Sequence, residues 1–223
     1  MISLRSLTVL GFSAALLSAC NSATPPKPAP TPEVTPVLSG QLVGIGNTTA
    51  SLSGNSKTLA VTSVDAGGNF TLTLPTSAQL SGDKTSLTAG LLADLGCTGV
   101  LTLGDPSAKG YAFATLTAGN GKEYADATVT KTLTTRTLKG RAYLYADKAT
   151  TLEGPLNCSA ATGYPTTVQV SIDALAGWNT LAINITGSLG FGGISVGGTV
   201  GNGAALPGSL WTDVDSLRAQ LAP

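Results

Sequence analysis

Asn69-Phe70-Thr71-Leu72-Thr73-Leu74 constrains the fold more than any other stretch of this chain. Successive side chains of an extended strand point to opposite faces, so this alternation sends Phe70, Leu72 and Leu74 one way and Asn69, Thr71 and Thr73 the other. That is the pattern of a half-buried β-strand. Lys57 to Val64 precedes it across Asp65-Ala66-Gly67-Gly68, a glycine-containing connection of hairpin type. With Leu38 to Val43 these strands form a small antiparallel module ending near Leu80.

Past residue 36 the pattern is short and β-like, rich in Thr, Leu and Gly, and helical periodicity is scarce. Tyr111 to Thr117, Leu138 to Ala146 and Thr167 to Asp173 are further candidate strands. Val168, Val170 and Ile172 are expected to face Leu181, Ile183 and Ile185 across Ala176-Gly177-Trp178-Asn179 in a second hairpin, with Trp178 at its turn as a candidate for surface recognition. Two stretches read as helical. Leu87, Leu91, Leu92 and Leu95 share a face ahead of Gly96, and Leu210, Val214, Leu217 and Leu221 give the tail an amphipathic period. Asp213 suits the tail helix either as N-cap or as a first-turn acid.

The N-terminus carries Arg5 and then Leu7 to Leu17, eleven residues without a charge. A membrane-spanning helix needs about 20 apolar residues, so this run is too short to cross. Its basic flank and the small residues Ser18 and Ala19 suit a secretory signal peptide. Leu17-Ser18-Ala19-Cys20 resembles the lipobox of bacterial lipoproteins. The resemblance implies removal of residues 1–19, lipid modification of Cys20 by chains such as palmitate, and an exported protein held on the periplasmic or cell-surface face of a bacterial membrane. Each buried methylene contributes about 0.8 kcal/mol, so two or three acyl chains anchor a protein stably. Residues 21–36 hold six prolines in sixteen positions. Polyproline II rises about 3.1 Å per residue, which lets this stalk reach up to about 50 Å.

If Cys20 carries lipid, Cys97 and Cys158 remain, and an even pair in an exported protein reads as a disulfide. Two thiols without any histidine leave a tetrahedral zinc shell unfilled, so no metal or other cofactor is expected. Twelve basic and twelve acidic residues balance, with only 11% of the chain charged. Such a balance gives no reason to expect nucleic acid or an anionic substrate. The mild excess of base over residues 122–148 reads as a solvated strand face.

Val64-Asp65-Ala66-Gly67-Gly68-Asn69-Phe70-Thr71-Leu72-Thr73-Leu74-Pro75 resembles the hairpin of carboxypeptidase-regulatory-like and immunoglobulin-like β modules. The order Gly96-Cys97-Thr98-Gly99, Tyr143-Leu144-Tyr145-Ala146-Asp147, Gly177-Trp178-Asn179 resembles a group of bacterial lipoproteins of no known activity. That second resemblance implies a sandwich-like β module stapled by Cys97 and Cys158. The expected fold is mainly β: a signal peptide (1–19), a lipidated cysteine with a proline-rich linker (20–36), and two antiparallel β-sandwich-like modules (37–80 and 81–223), the second ending in a short helix.

Motifs for catalysis do not assemble. Gly193-Ile194-Ser195-Val196-Gly197 fits the nucleophile elbow G-x-S-x-G, but no histidine exists to take the serine proton, and the surroundings read as glycine-studded strand. Ser81-Gly82-Asp83-Lys84 fits S-x-x-K without the accompanying S-D-N and K-T-G elements, and reads as a polar loop. Gly187 to Gly203 lacks the G-K-[ST] ending of a phosphate loop. Asp213 and Asp215 are expected to solvate the tail, because two residues apart on a helix they diverge. The sequence therefore points to a structural or binding role without catalytic residues, the partners being the membrane through Cys20 and an envelope protein or a glycan. The alternatives are an envelope carrier of an apolar ligand and, behind it, a histidine-free hydrolase.

Overall fold

A computed structural model describes residues 36–55, 57–87, 97–190, 193–204 and 208–221, and residues 33–223 form one compact unit. The expected signal peptide, Cys20, the expected linker up to residue 35 and, Leu87 apart, the helical turn expected over 87–95 lie outside the described residues. The protein is mainly β, with a short C-terminal helix.

Seven strands close into a ring. They are β1 (Val37–Leu42), β2 (Thr48–Ser53), β3 (Thr58–Val64), β4 (Asn69–Thr73), β9 (Thr115–Ala118), β10 (Glu123–Lys131) and β16 (Ser209–Asp213). The hydrogen-bonded order runs β1–β4–β3–β2–β9–β10–β16 and back to β1. β16 closes it, parallel to β1 and antiparallel to β10. Closure leaves no sheet edge for another chain to extend.

The remaining strands form a second, curled sheet. Its long members are β8 (Lys109–Phe113), β11 (Thr135–Ala146), β12 (Thr150–Asn157), β13 (Thr166–Ala174), β14 (Gly177–Gly190) and β15 (Gly193–Asn202). Two-residue strands β5 (Thr85–Ser86), β6 (Thr98–Gly99) and β7 (Thr102–Leu103) edge it, and a short helix α1 (Ser159–Thr162) follows β12. The order is β11–β14–β15–β13–β12, and one stretch of chain bridges its two ends, since β7 pairs with β12 and β8 with β11. β10 belongs to both sheets: residues 124–126 face β16, and residues 127–131 face β11. The expected strand over Tyr111 to Thr117 is interrupted at Ala114, where the chain passes from the second sheet to the ring.

Alternation explains these elements. In β4 Phe70 and Leu72 are buried between exposed neighbours, and in β13 every second residue from Thr166 to Ala174 is buried. At the β3–β4 turn, Asp65 accepts hydrogen bonds from the Asn69 amide, backbone and side chain, which hold its carboxyl below the ordinary range. Gly68 closes that turn at φ +85°, and a Cβ there would overlap the Leu42 carbonyl oxygen. Only glycine meets both demands.

Two hydrophobic cores result, and β11 is the wall between them. Tyr143 and Tyr145 enter a core with Leu42, Leu52, Phe70, Leu72, Leu116 and Trp211. Leu144 and Ala146 enter the other, with Leu152, Leu156, Val170, Ile172 and Leu181. Phe113 and Ala112 divide in the same way on β8. Over residues 143–146 β11 is thus buried on both faces, keeping its period of two between the two cores.

Three sequence expectations need correction. Strands β13 and β14 do not form a hairpin: β15 lies between them, parallel to β13 and antiparallel to β14. The tail helix, α2, spans Val214–Leu221, and Leu210 belongs to β16. The ladders β1–β16 and β13–β15 are parallel within an otherwise antiparallel fold.

Candidate functional site

Residues of both cores line a cleft of about 560 Å³, together with residues of β2, β9 and α2. Leu52 and Phe113 from the first core, with Leu181, Ile183 and Val200 from the second, make its floor. Ser51, Ser53, Asn55, Thr115 and Thr117 supply a polar rim, and Glu123 and Arg218 add charge to the lining. An apolar floor with a few polar groups at the edge is the usual make-up of a small-molecule site.

The rim is held in place by its own hydrogen bonds. Ser51 Oγ donates to the Thr117 carbonyl at 3.1 Å, and Tyr111 Oη donates to the Ser53 carbonyl at 2.8 Å. Beyond Ser53 the chain turns at Gly54, where a Cβ would overlap the buried Asp83 carboxylate. Asp83 accepts the Asn55 backbone N–H at 2.8 Å and faces Lys57 Nζ at 3.2 Å. Those two contacts, the Asn55 amide first, hold its carboxyl below the ordinary range.

A buried polar group braces the junction of the two sheets. Arg141 Nη1 donates to both Asp126 oxygens at 3.0 and 3.2 Å, and Arg141 Nε reaches the Ala204 carbonyl at 3.0 Å. Tyr143 Oη donates to Asp126 Oδ2 at 3.1 Å. Burial, and then the Asp126 charge, push the Tyr143 phenol well above its ordinary range, so it stays protonated. Asp126 lies on β10 at the point where that strand leaves the ring.

The residues singled out by sequence take these places in the fold. Cys97 and Cys158 are disulfide-bonded, with Cα atoms 4.2 Å apart, and Cys158 packs in the second core. Trp178 is half-buried: its indole N–H donates to the Pro75 carbonyl at 2.9 Å, and Tyr111, Phe113 and Tyr145 surround the ring edge-on. Ser195 is exposed on β15, its hydroxyl sharing a hydrogen bond with Ser188. Lys84, the base that serine-lysine chemistry would require beside Ser81, directs its Nζ to Ser77 Oγ at 3.1 Å and lies over the Tyr145 ring.

Asp213 corrects the expectation of a solvating tail acid. It is buried at the end of β16, pairs with Lys122 Nζ at 2.8 Å and accepts the Ser216 N–H at 3.0 Å, which makes it the N-cap of α2. Lys122, followed by the Ser216 amide, holds its carboxyl below the ordinary range. Asp215 is exposed and pairs with Arg218.

Sequence reasoning missed the cleft and the Asp126–Arg141–Tyr143 group. The cleft draws on segments spread from Ser51 to Arg218, so no local motif marks it. The polar group had one signal, a carboxylate and a guanidinium on strands that also carry buried aromatics. Among the described residues no three metal-ligating side chains cluster, and no helix is long and apolar enough to cross a membrane. Compared with known proteins, the chain matches no family model, no curated protein and no solved structure.

Proposed function

We propose that this is an exported, lipid-anchored envelope protein that works by binding and catalyses no reaction, with the cleft over the joined cores as its binding site. The cleft carries this reading: about 560 Å³ of space, floored by side chains of both cores and rimmed by hydroxyls. The lipobox-like Leu17-Ser18-Ala19-Cys20 and the proline-rich stalk support the anchor. The absence of histidine from the sequence supports binding over turnover, as does the engagement of Lys84 by Ser77 and of Ser195 by Ser188.

The floor favours a narrower, second reading, an envelope carrier of an apolar or amphipathic small molecule. Leu52, Phe113, Leu181, Ile183 and Val200 offer such a molecule an apolar bed, and Ser53 and Thr115 offer its polar end hydrogen bonds. Titration of the purified full chain with the neutral fluorophore N-phenylnaphthylamine tests this. Saturable enhancement is expected, and Thr115→Trp, which fills the cleft from its rim, is expected to remove it. Enhancement that is non-saturable or unchanged in Thr115→Trp would refute the assignment.

A further inference from the structure

Leu133 and Leu189 lie close together at one end of the β11–β14 ladder. The β10–β11 turn carries Leu133, 96% exposed, and the β14–β15 hairpin carries Leu189, 60% exposed. The Leu189 N–H donates to the Thr134 carbonyl at 2.8 Å, so the tips are joined. Thr135 faces Ser188 across the β11–β14 ladder, which places both turns at the same end of the sheet.

The charge around these leucines is of one sign. Residues 127–146 contain Lys131, Arg136, Lys139 and Arg141 and no carboxylate, and residues 174–212 contain no charged side chain at all. Arg141 is committed to Asp126; Lys131 is exposed beside the turn, Arg136 is half-buried there with Nη1 donating to the Thr132 and Thr135 carbonyls, and Lys139 lies farther along β11. Exposed leucines flanked by unopposed cations are complementary to a bilayer with anionic headgroups.

Topology brings the stalk to the same end. Along the ring, Tyr124 of β10 faces Asp213 of β16, Asp126 faces Trp211, and Trp211 faces Leu42 of β1. Moving along β10 toward Lys131 therefore runs down β1 toward Val37, next to Pro36, where the stalk meets the body. Leu133 and Leu189 thus lie at the end of the body from which the stalk departs.

We infer that the paired tips form a second membrane contact, in which Leu133 and Leu189 enter the interface of an anionic bilayer while Lys131 and Arg136 meet its headgroups. The approach of the body to the bilayer rests on the anchored reading proposed above. The contact orients the body, because a proline-rich tether alone fixes distance and leaves rotation free.

The test uses the full chain with Leu133→Cys, and separately with Leu175→Cys, each labelled with an environment-sensitive nitrobenzoxadiazole. Leu175 is 68% exposed and precedes β14 at the opposite end. On vesicles containing phosphatidylglycerol, the label at 133 is expected to shift to the blue, brighten several-fold and be quenched by nitroxide lipids, with the effect weakened by salt and by phosphatidylcholine alone. The label at 175 is expected to report water throughout. An unresponsive label at 133, an equal response at both positions, or a response elicited only by envelope proteins without vesicles would overturn the inference. Intact mass checks Cys20 independently: an unmodified thiol ends the anchored reading, while its background label is common to both variants and the difference between them still decides the tips.

Discussion

Replacing Gly40 by alanine strikes the ring where β16 closes it. A Cβ at position 40 would lie 2.6 Å from Trp211 Nε1, 2.7 Å from its Cδ1 and 2.9 Å from the Ser209 carbonyl oxygen. Trp211 has no room to yield: it is fully buried, stacked on Tyr143 at 6.1 Å and set edge-on to Phe70 at 5.7 Å. Overpacking of this kind costs about 1–3 kcal/mol, offset by about 0.5–1 kcal/mol from removing a flexible glycine, so Gly40→Ala is expected to lose about 1–2 kcal/mol. Trp211→Ala alone is expected to lose about 3–5 kcal/mol through the void it leaves. In the double variant the indole contacts are gone and the 2.9 Å approach to the Ser209 oxygen remains, so the added cost of the methyl falls and the two changes couple by about 1 kcal/mol. Urea denaturation followed by far-ultraviolet circular dichroism measures all four corners of this cycle. Equal cost of Gly40→Ala in both backgrounds would show that the glycine does not make room for the indole, and the account of ring closure would fail.

Asp126→Asn removes the charge that Arg141 and Tyr143 share. The Asp126 side chain is 5% exposed and that of Arg141 21%, and breaking buried pairs costs about 3–5 kcal/mol. A loss near the lower end, about 3 kcal/mol, is therefore expected in urea denaturation, and Asp126→Leu paired with Arg141→Met should recover part of it. Reducing the Cys97–Cys158 bond, which closes a separation of 61 residues, should cost about 4 kcal/mol by loop entropy, measured as the drop in urea stability with and without reductant. Stability should be flat from about pH 5 to pH 9 because the sequence has no histidine to titrate there. Asp65, Asp83, Asp105 and Asp213 are held below their ordinary value of 3.8, by Asn69, the Asn55 amide, Ser107 and Lys122 first in each case. Their stabilisation is present above that value and is lost as pH falls through the lowered ones. Lys122 is raised above 10.5 by Asp213, so its contribution is complete below that pH and fades as pH rises past the raised value. Thermal melts across pH check both arms, and a loss of stability between pH 6 and 8 would contradict them.

Faces were legible in the sequence where partners were not. Phe70 and Leu72, and Val168, Val170 and Ile172, sit on the buried faces that their alternation demands. Alternation assigns a strand's inside and outside but carries no information about its neighbour, and this is why β15 could separate β13 from β14 unannounced. In the tail, Leu210, Val214, Leu217 and Leu221 satisfy a helical period, yet Trp211 and Asp213 also satisfy a period of two. Burial of the indole in the ring decided for strand up to Asp213. The cap role of Asp213 was one of two options open in the sequence, and the Ser216 N–H selects it. Trp178 stood at an expected turn and is instead packed among Tyr111, Phe113 and Tyr145, because its strand belongs to the wall between the cores.

An anchored binding protein stands or falls on residue 20, and mass spectrometry of the chain recovered from bacterial membranes addresses that residue directly. A mature N-terminus at Cys20 carrying two or three acyl chains is the expected result. A terminus elsewhere, or an unmodified Cys20 thiol, would contradict it.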